Sequence, residues 1–125
     1  MNVGSTIGTH IDDTRIYPLE RQVAYHNWER GMFFHFGILT FYQFENSANY
    51  GKVPMEPSLF MPTSLDCDRW AAIAKECGFT YMVLTVKHHD GFCLWPSRST
   101  DYSVASSQWK GGEGDVVREF VEACR

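Results

Sequence analysis

The chain has 125 residues and a formal net charge of −4, with 44% hydrophobic and 21% charged residues. This length suits one small globular domain, and the acidic balance argues against nucleic acid or an anionic membrane as the main partner. No apolar run approaches the roughly 20 residues of a membrane span. The first residues carry Asp12 and Asp13 and no apolar segment of the kind that signal peptides contain.

The beginning of the chain predicts a lead-in, a helix and a strand. Residues 1–16 are polar and unpatterned, and we expect them to precede a domain formed by residues 17–125. A short helix is expected from Pro18 to Glu29, with Gly31 ending it. The almost wholly apolar run MFFHFGI, residues 32–38, is typical of a strand that is buried on both faces.

A long connection then leads to a second helix and a second strand. Residues 40–62 are rich in Asn, Gly, Pro and aromatic residues, and a connection of this length is usually functional or disordered. Asp66 is a good N-cap for the helix that follows, and Gly78 lies where a left-handed C-cap belongs. Residues 80–87 (TYMVLTVK) are β-branched and apolar, which predicts another strand buried on both faces.

The order of these elements predicts a parallel sheet. Two apolar strands separated by a helix form a βαβ crossover, and a third amphipathic helix begins after Asp115. Two parallel strands alone leave both edges of their sheet unpaired. We therefore expect an α/β fold, and specifically an incomplete (β/α)8 TIM barrel represented by its first two βα units.

Two adjacent histidines and an aspartate directly follow the second predicted strand, in TVKHHDGFCLWP. Functional groups of parallel α/β proteins collect at the carboxyl ends of strands. Because neighbouring strand residues point to opposite faces, His88 and His89 can share a site only if the strand ends there and Gly91 turns the backbone away. The alternative is a structural turn, in which Asp90 accepts hydrogen bonds from backbone N–H groups.

His35, inside the first apolar run, is the second unusual feature. A buried imidazole must find a hydrogen bond, and Gly37 on the same face leaves room beside it for a ligand. Together with the histidine pair, His35 suggests either a metal site or a polar pocket for a hydroxyl-rich ligand. Against a metal, barrel metallohydrolases usually present His-x-His on the first strand, and here Phe36 and Gly37 follow His35.

Three stretches of the sequence carry a family resemblance. They are RGMFFHFGILTF, FMPTSLDCDRWAAIAKECGFTYMVLTVKHHDGFCLWPSRSTDYSV and GGEGDVVREFVEACR. These stretches, within residues 17–125, resemble the N-terminal barrel region of the α-L-fucosidases, glycoside hydrolase family 29. The resemblance implies a (β/α)8 catalytic domain, L-fucose-containing glycans as substrates, no cofactor, and a retaining mechanism with a nucleophilic aspartate and a second acidic residue as acid/base.

The resemblance also implies roles for individual residues. The histidines that match His35, His88 and His89 hydrogen-bond the hydroxyl groups of fucose. A Glu-Trp pair usually contacts the sugar from the loop after the first strand, and Glu45 is the nearest match here, without the Trp. The nucleophile and the acid/base residue are expected beyond Arg125, so no catalytic residue and no metal ligand is assigned, and the 125-residue chain alone is expected not to hydrolyse glycosides.

Two other classes of function remain compatible with the sequence. One is a short product that binds sugar or a partner chain without catalysis, which would need to self-associate through its open sheet edges. The other is a fragment of a metal-dependent hydrolase that uses His88, His89 and Asp90 as ligands.

Overall fold

The computed structural model describes residues 17–42 and 55–125. In chain order its helices and strands are α1 (Glu20–Asn27), β1 (Gly31–Phe34), α2 (Cys67–Glu76), β2 (Tyr81–Leu84) and α3 (Val116–Ala123), joined in part by short 3₁₀ segments. This order confirms the predicted α/β class. Within the two described ranges, no helix is both long and apolar enough to cross a bilayer.

The strands β1 and β2 are parallel and pair residue by residue, with Gly31 opposite Tyr81 and Phe34 opposite Leu84. One further backbone bond follows the last pair, because the N–H of Thr85 donates to the carbonyl of Phe34 over 3.0 Å. The parallel pairing predicted from the strand–helix–strand order is therefore confirmed.

Both strands end earlier than the apolar runs predict. After Phe34 the backbone leaves the sheet and forms a 3₁₀ segment at Ile38–Phe41, in which Ile38 is fully buried. The apolar character of residues 36–38 thus reflects packing into a core beyond the strand end, and not a longer strand. As a consequence His35 directly follows β1, and the prediction that it lies within the strand is wrong.

The two faces of β1 have different environments. Phe34 stacks on Trp70 of α2 at a centroid distance of 4.9 Å and meets the edge of Phe120 of α3 at 5.9 Å. Phe33 points to the opposite face and is 58% exposed. The prediction that both faces are buried is therefore wrong for the described residues, because α2 and α3 pack on the Phe34 side.

The predicted helix ends in the second half of the chain are confirmed. The Asp66 side chain accepts a hydrogen bond from the backbone N–H of Arg69 over 2.8 Å, and Gly78 is left-handed with φ +74°. Asp115 caps α3 in the same way, through the N–H of Arg118 at 2.8 Å. Each cap satisfies a backbone donor that the first helical turn leaves without an intrahelical partner.

Helix α1 ends differently from the prediction. It stops at Asn27, and Glu29 takes a left-handed conformation with φ +57° although it is not a glycine. Gly31 instead begins β1, where the ring of Tyr81 lies over it. The Tyr25 and Tyr81 hydroxyls are 3.2 Å apart, which links α1 to the amino end of β2.

The main core lies beyond the carboxyl ends of the strands and is built largely from connecting segments. Phe60 is fully buried, and its ring contacts Phe41, Phe92 and Trp109 at centroid distances between 5.1 and 5.7 Å. The remaining fully buried apolar side chains of this core come mostly from connections or helix ends: Ile38, Met55, Leu94, Val104 and Val116. This packing holds the connecting segments in place around the strand ends.

Gly114 offers a test of this core. A Cβ built at Gly114 overlaps the indole ring of Trp109, which is only 5% exposed. We expect Gly114→Ala to lower the free energy of unfolding by about 1–3 kcal/mol, the usual cost of overpacking, as measured by urea denaturation. In a Trp109→Leu background the same substitution should cost less, and an equal cost in both backgrounds would contradict the contact.

Cys67 offers a second test, through its reactivity. Burial raises the pKa of the Cys67 thiol from 9.0 to about 11, and the Glu119 and Asp68 carboxylates add to the shift. At pH 8 about one Cys67 thiol in a thousand is then ionised. We expect iodoacetamide to label exposed Cys77 before Cys67, as followed by peptide mass spectrometry.

The same pKa fixes the pH dependence of this labelling. The rate at Cys67 should rise about tenfold per pH unit and continue to rise to about pH 11, because only the thiolate reacts. A rate that levels off near pH 9 would contradict the raised pKa.

Candidate functional site

A pocket of about 320 Å³ opens at the carboxyl ends of β1 and β2. Its described lining comes from the segment after β1 and from the segment after β2: His35, Phe36, Gly37, Leu39, Thr40, Thr85, His88 and Asp90. The parallel register brings these two segments together, because both strands end at the same edge of the sheet.

His35 lines the pocket and contacts three described residues. Its Nδ1 atom lies 3.1 Å from the hydroxyl oxygen of Thr85, within hydrogen-bond range. Its ring lies 4.8 Å from the ring of Phe33 and meets His88 edge to face at 5.2 Å. Two histidines that are 53 positions apart in the sequence are therefore adjacent in space.

His88 reaches the pocket because a tight turn follows it. The N–H of Gly91 donates to the carbonyl of His88 over 3.0 Å, and Gly91 is left-handed with φ +86°. Oδ1 of Asp90 accepts a hydrogen bond from the N–H of Phe92 at 2.7 Å. The predicted backbone turn at Gly91 is thus present, and Asp90 also has the turn-stabilising role that the structural alternative assigned to it.

The described pocket lining does not include His89, one of the predicted ligand-binding residues. His89 is exposed, and its ring contacts His88 at 4.6 Å. Glu45 lies outside the described residues. The structure thus brings together His35 and His88, with His89 beside them.

Gly37 lies in the pocket wall with an extended backbone, φ 178°. A Cβ built there meets no described atom within 4 Å. Gly37 thus lies beside His35 at a point where the described residues leave space, which agrees with the room that the sequence predicts there.

Several lining residues were not identified from the sequence. Thr85, Thr40 and Leu39 border the pocket, but no motif marks them. Thr85 could have been singled out from the sequence, because it is a hydroxyl-bearing residue in the otherwise apolar run MVLTV. Its position directly after β2, beside the end of β1, becomes apparent only once the register of the two strands is known.

The lining combines two kinds of surface. Phe36 and Leu39 are apolar, whereas two imidazoles, a carboxylate and hydroxyl groups supply donors and acceptors. Such a combination suits a small ligand with several hydroxyl groups and one apolar face. In the described parts of the chain, no three His, Cys, Asp or Glu side chains are placed to hold a metal ion.

Comparison with known proteins gives a consistent result. The family model described as alpha-L-fucosidase matches residues 40–125. Alpha-L-fucosidase 1 of Arabidopsis thaliana is 48% identical over 108 residues, which are 86% of this chain and 21% of the plant protein. The chain therefore spans about a fifth of the length of this curated relative.

Solved structures are similar over the same portion of the chain. A glycoside hydrolase family 29 member from an unknown rumen bacterium is 42% identical with a TM-score of 0.75, covering 86% of this chain and 19% of that chain. An alpha-L-fucosidase of the same family from Bacteroides thetaiotaomicron, trapped as a covalent intermediate with 2-fluoro-fucosyl fluoride, is 30% identical with a TM-score of 0.69. That comparison covers 86% of this chain and 28% of the other.

The turn that places His88 can be tested through Gly91. Among the described residues, a Cβ at Gly91 contacts only Tyr102, at an ordinary van der Waals distance of 3.9 Å. The destabilisation expected for Gly91→Ala therefore comes from the positive φ of its backbone and not from a steric clash. We expect a loss of about 1–2 kcal/mol in the free energy of unfolding, as measured by urea denaturation. Gly37→Ala is the matched control, because its backbone is extended, and it should change stability by less than about 0.5 kcal/mol. Equal effects of the two substitutions would contradict the strain.

Proposed function

This chain belongs to the α-L-fucosidase family, and on that premise we propose that its pocket binds the fucosyl group of L-fucose-containing glycans in a retaining glycoside hydrolase. One observation carries the proposal: the rings of His35 and His88 meet at 5.2 Å on the wall of a 320 Å³ pocket at the carboxyl ends of two parallel strands. Active sites of (β/α)8 enzymes lie at that end of the strands.

The chemistry of the lining fits this ligand. Imidazole nitrogens can donate to or accept from sugar hydroxyl groups, and the carboxylate of Asp90 accepts from them. The side chains of Phe36 and Leu39 offer an apolar wall for the ring carbons and the methyl group of a 6-deoxy sugar. We assign hydroxyl recognition to His35, His88 and His89, and we extend the assignment to Glu45 on sequence alone.

We further propose that β1 and β2 are the first two strands of a (β/α)8 barrel. Their parallel pairing, and the packing of α2 and α3 on the Phe34 face, support this arrangement. In a barrel the opposite face looks inward, which would place the exposed Phe33 ring and the neighbouring His35 on the interior side.

The proposed reaction proceeds by two displacements. A carboxylate attacks the anomeric carbon while a second acidic residue protonates the departing oxygen, and water then cleaves the covalent intermediate. The trapped intermediate of the Bacteroides relative supports this course. Asp90 is not assigned as the nucleophile, because the family resemblance places the nucleophilic aspartate on a later strand. We assign both catalytic carboxylates to residues beyond Arg125.

Substitution of the histidines tests the binding role. His35→Phe and His88→Phe keep an aromatic ring for the edge-to-face contact but remove its nitrogens. Each should raise the Kd for L-fucose about tenfold in calorimetric titration of the full-length protein, the effect expected from one lost hydrogen bond. His26→Phe, at an exposed position on α1, is the control and should leave the Kd unchanged.

Two results would overturn the proposed function. Unchanged Kd values in both pocket variants would show that these histidines do not recognise the sugar. A full-length protein that neither binds L-fucose nor hydrolyses an aryl α-L-fucoside would contradict the proposed activity itself.

A further inference from the structure

We propose that Thr85 is a positioning residue for His35: its hydroxyl group holds Nδ1, so that Nε2 with its proton faces the ligand. The inference rests on the proposed function for the identity of the ligand. The proposal is based on the 3.1 Å separation between Thr85 Oγ1 and His35 Nδ1.

The strand register makes this contact a fixed feature of the fold. The N–H of Thr85 donates to the carbonyl of Phe34 over 3.0 Å, so the backbone of Thr85 lies directly beside the residue that precedes His35. Thr85 and His35 are thus the first residues beyond the ends of β2 and β1. Their side chains are therefore adjacent where the two strands end, and no loop movement is needed to bring them into contact.

The other contacts described for His35, with Phe33 at 4.8 Å and with His88 at 5.2 Å, are ring contacts, which do not by themselves fix the orientation of its imidazole. A flip of the imidazole by 180° exchanges a nitrogen and a carbon at nearly unchanged shape, so packing alone tolerates both orientations. The hydroxyl of Thr85 breaks this near-symmetry, because only one orientation presents Nδ1 to it.

We assign the donor role in this contact to the Thr85 hydroxyl, and that direction places the imidazole proton on Nε2. A neutral imidazole has one N–H donor and one acceptor nitrogen. When the Thr85 hydroxyl donates to Nδ1, the proton resides on Nε2, which can donate to a hydroxyl oxygen of the sugar. Thr85 would therefore act on the sugar through His35.

The state of His35 can be measured without any ligand. Nitrogen-15 NMR of the full-length protein at pH 8.5, where imidazoles are ordinarily neutral, distinguishes the protonated nitrogen from the acceptor. His35→Phe identifies the signals by their loss. We expect the proton on Nε2 in the parent protein and in Thr85→Ser, and a mixture of both tautomers in Thr85→Val, which keeps the shape but lacks the hydroxyl.

Binding gives the functional readout. Thr85→Val should raise the Kd for L-fucose about five- to tenfold, and Thr85→Ser should stay within about twofold of the parent. Thr63→Val is the matched control, because Thr63 is an exposed threonine outside the pocket lining, and it should change neither readout.

Each contrary result has a definite meaning. A parent protein with the proton on Nδ1 overturns the proposal, and so does a Thr85→Val variant with an unchanged tautomer and Kd. If Thr85→Ser is as weak as Thr85→Val, the hydroxyl is not responsible. If Thr85→Val fails to fold, Thr85→Ala removes the hydroxyl in its place, and its tautomer and Kd then decide. A parent that does not bind L-fucose defeats the proposed function, whereas the NMR result stands independently.

Discussion

The parallel register of β1 and β2 is the constraint on which the candidate site depends. Each strand has only four residues, yet the register determines which side chains meet where the sheet ends. It places Thr85 next to Phe34 and thereby next to His35, and it brings the turn that follows β2 to the same edge. A slip of one residue in either strand would turn every side chain of that strand to the opposite face, and the His35–Thr85 contact would be lost. The backbone hydrogen bonds between the two strands thus set the position of His35 relative to Thr85.

The connecting segments are held by a core of their own. Phe60 and Trp109 belong to connections rather than to strands, yet both are almost completely buried. Phe92 follows the histidine turn directly and packs on Phe60 at 5.1 Å, so the position of the turn is tied to this aromatic cluster. Such packing matters at a binding site, because a loop that is already ordered loses little conformational entropy when a ligand binds.

Local signals in the sequence predicted the ends of α2 and the start of α3 well, and the ends of α1 and of both strands poorly. Asp66 and Asp115 cap their helices as expected, because a cap depends on a side chain and a backbone group three residues away. The end of β1 depends instead on where the chain turns into the core at Ile38, and an apolar run looks the same in a strand and in a buried 3₁₀ segment. For the site, the histidines were recognisable from their unusual context, whereas Thr85 acquires a role only through a partner 50 positions away.

The anchored carboxylate of Asp90 has a consequence for what the pocket excludes. The hydrogen bond from the Phe92 N–H to Oδ1, at 2.7 Å, opposes rotation of the Asp90 carboxylate away from the pocket wall. A uronic acid, a sialic acid or a sugar phosphate would bring like charge into a partly enclosed space, where screening by water is weaker. Such repulsion would disfavour negatively charged ligands, whatever the arrangement of their hydroxyl groups. A neutral ligand would not meet this repulsion.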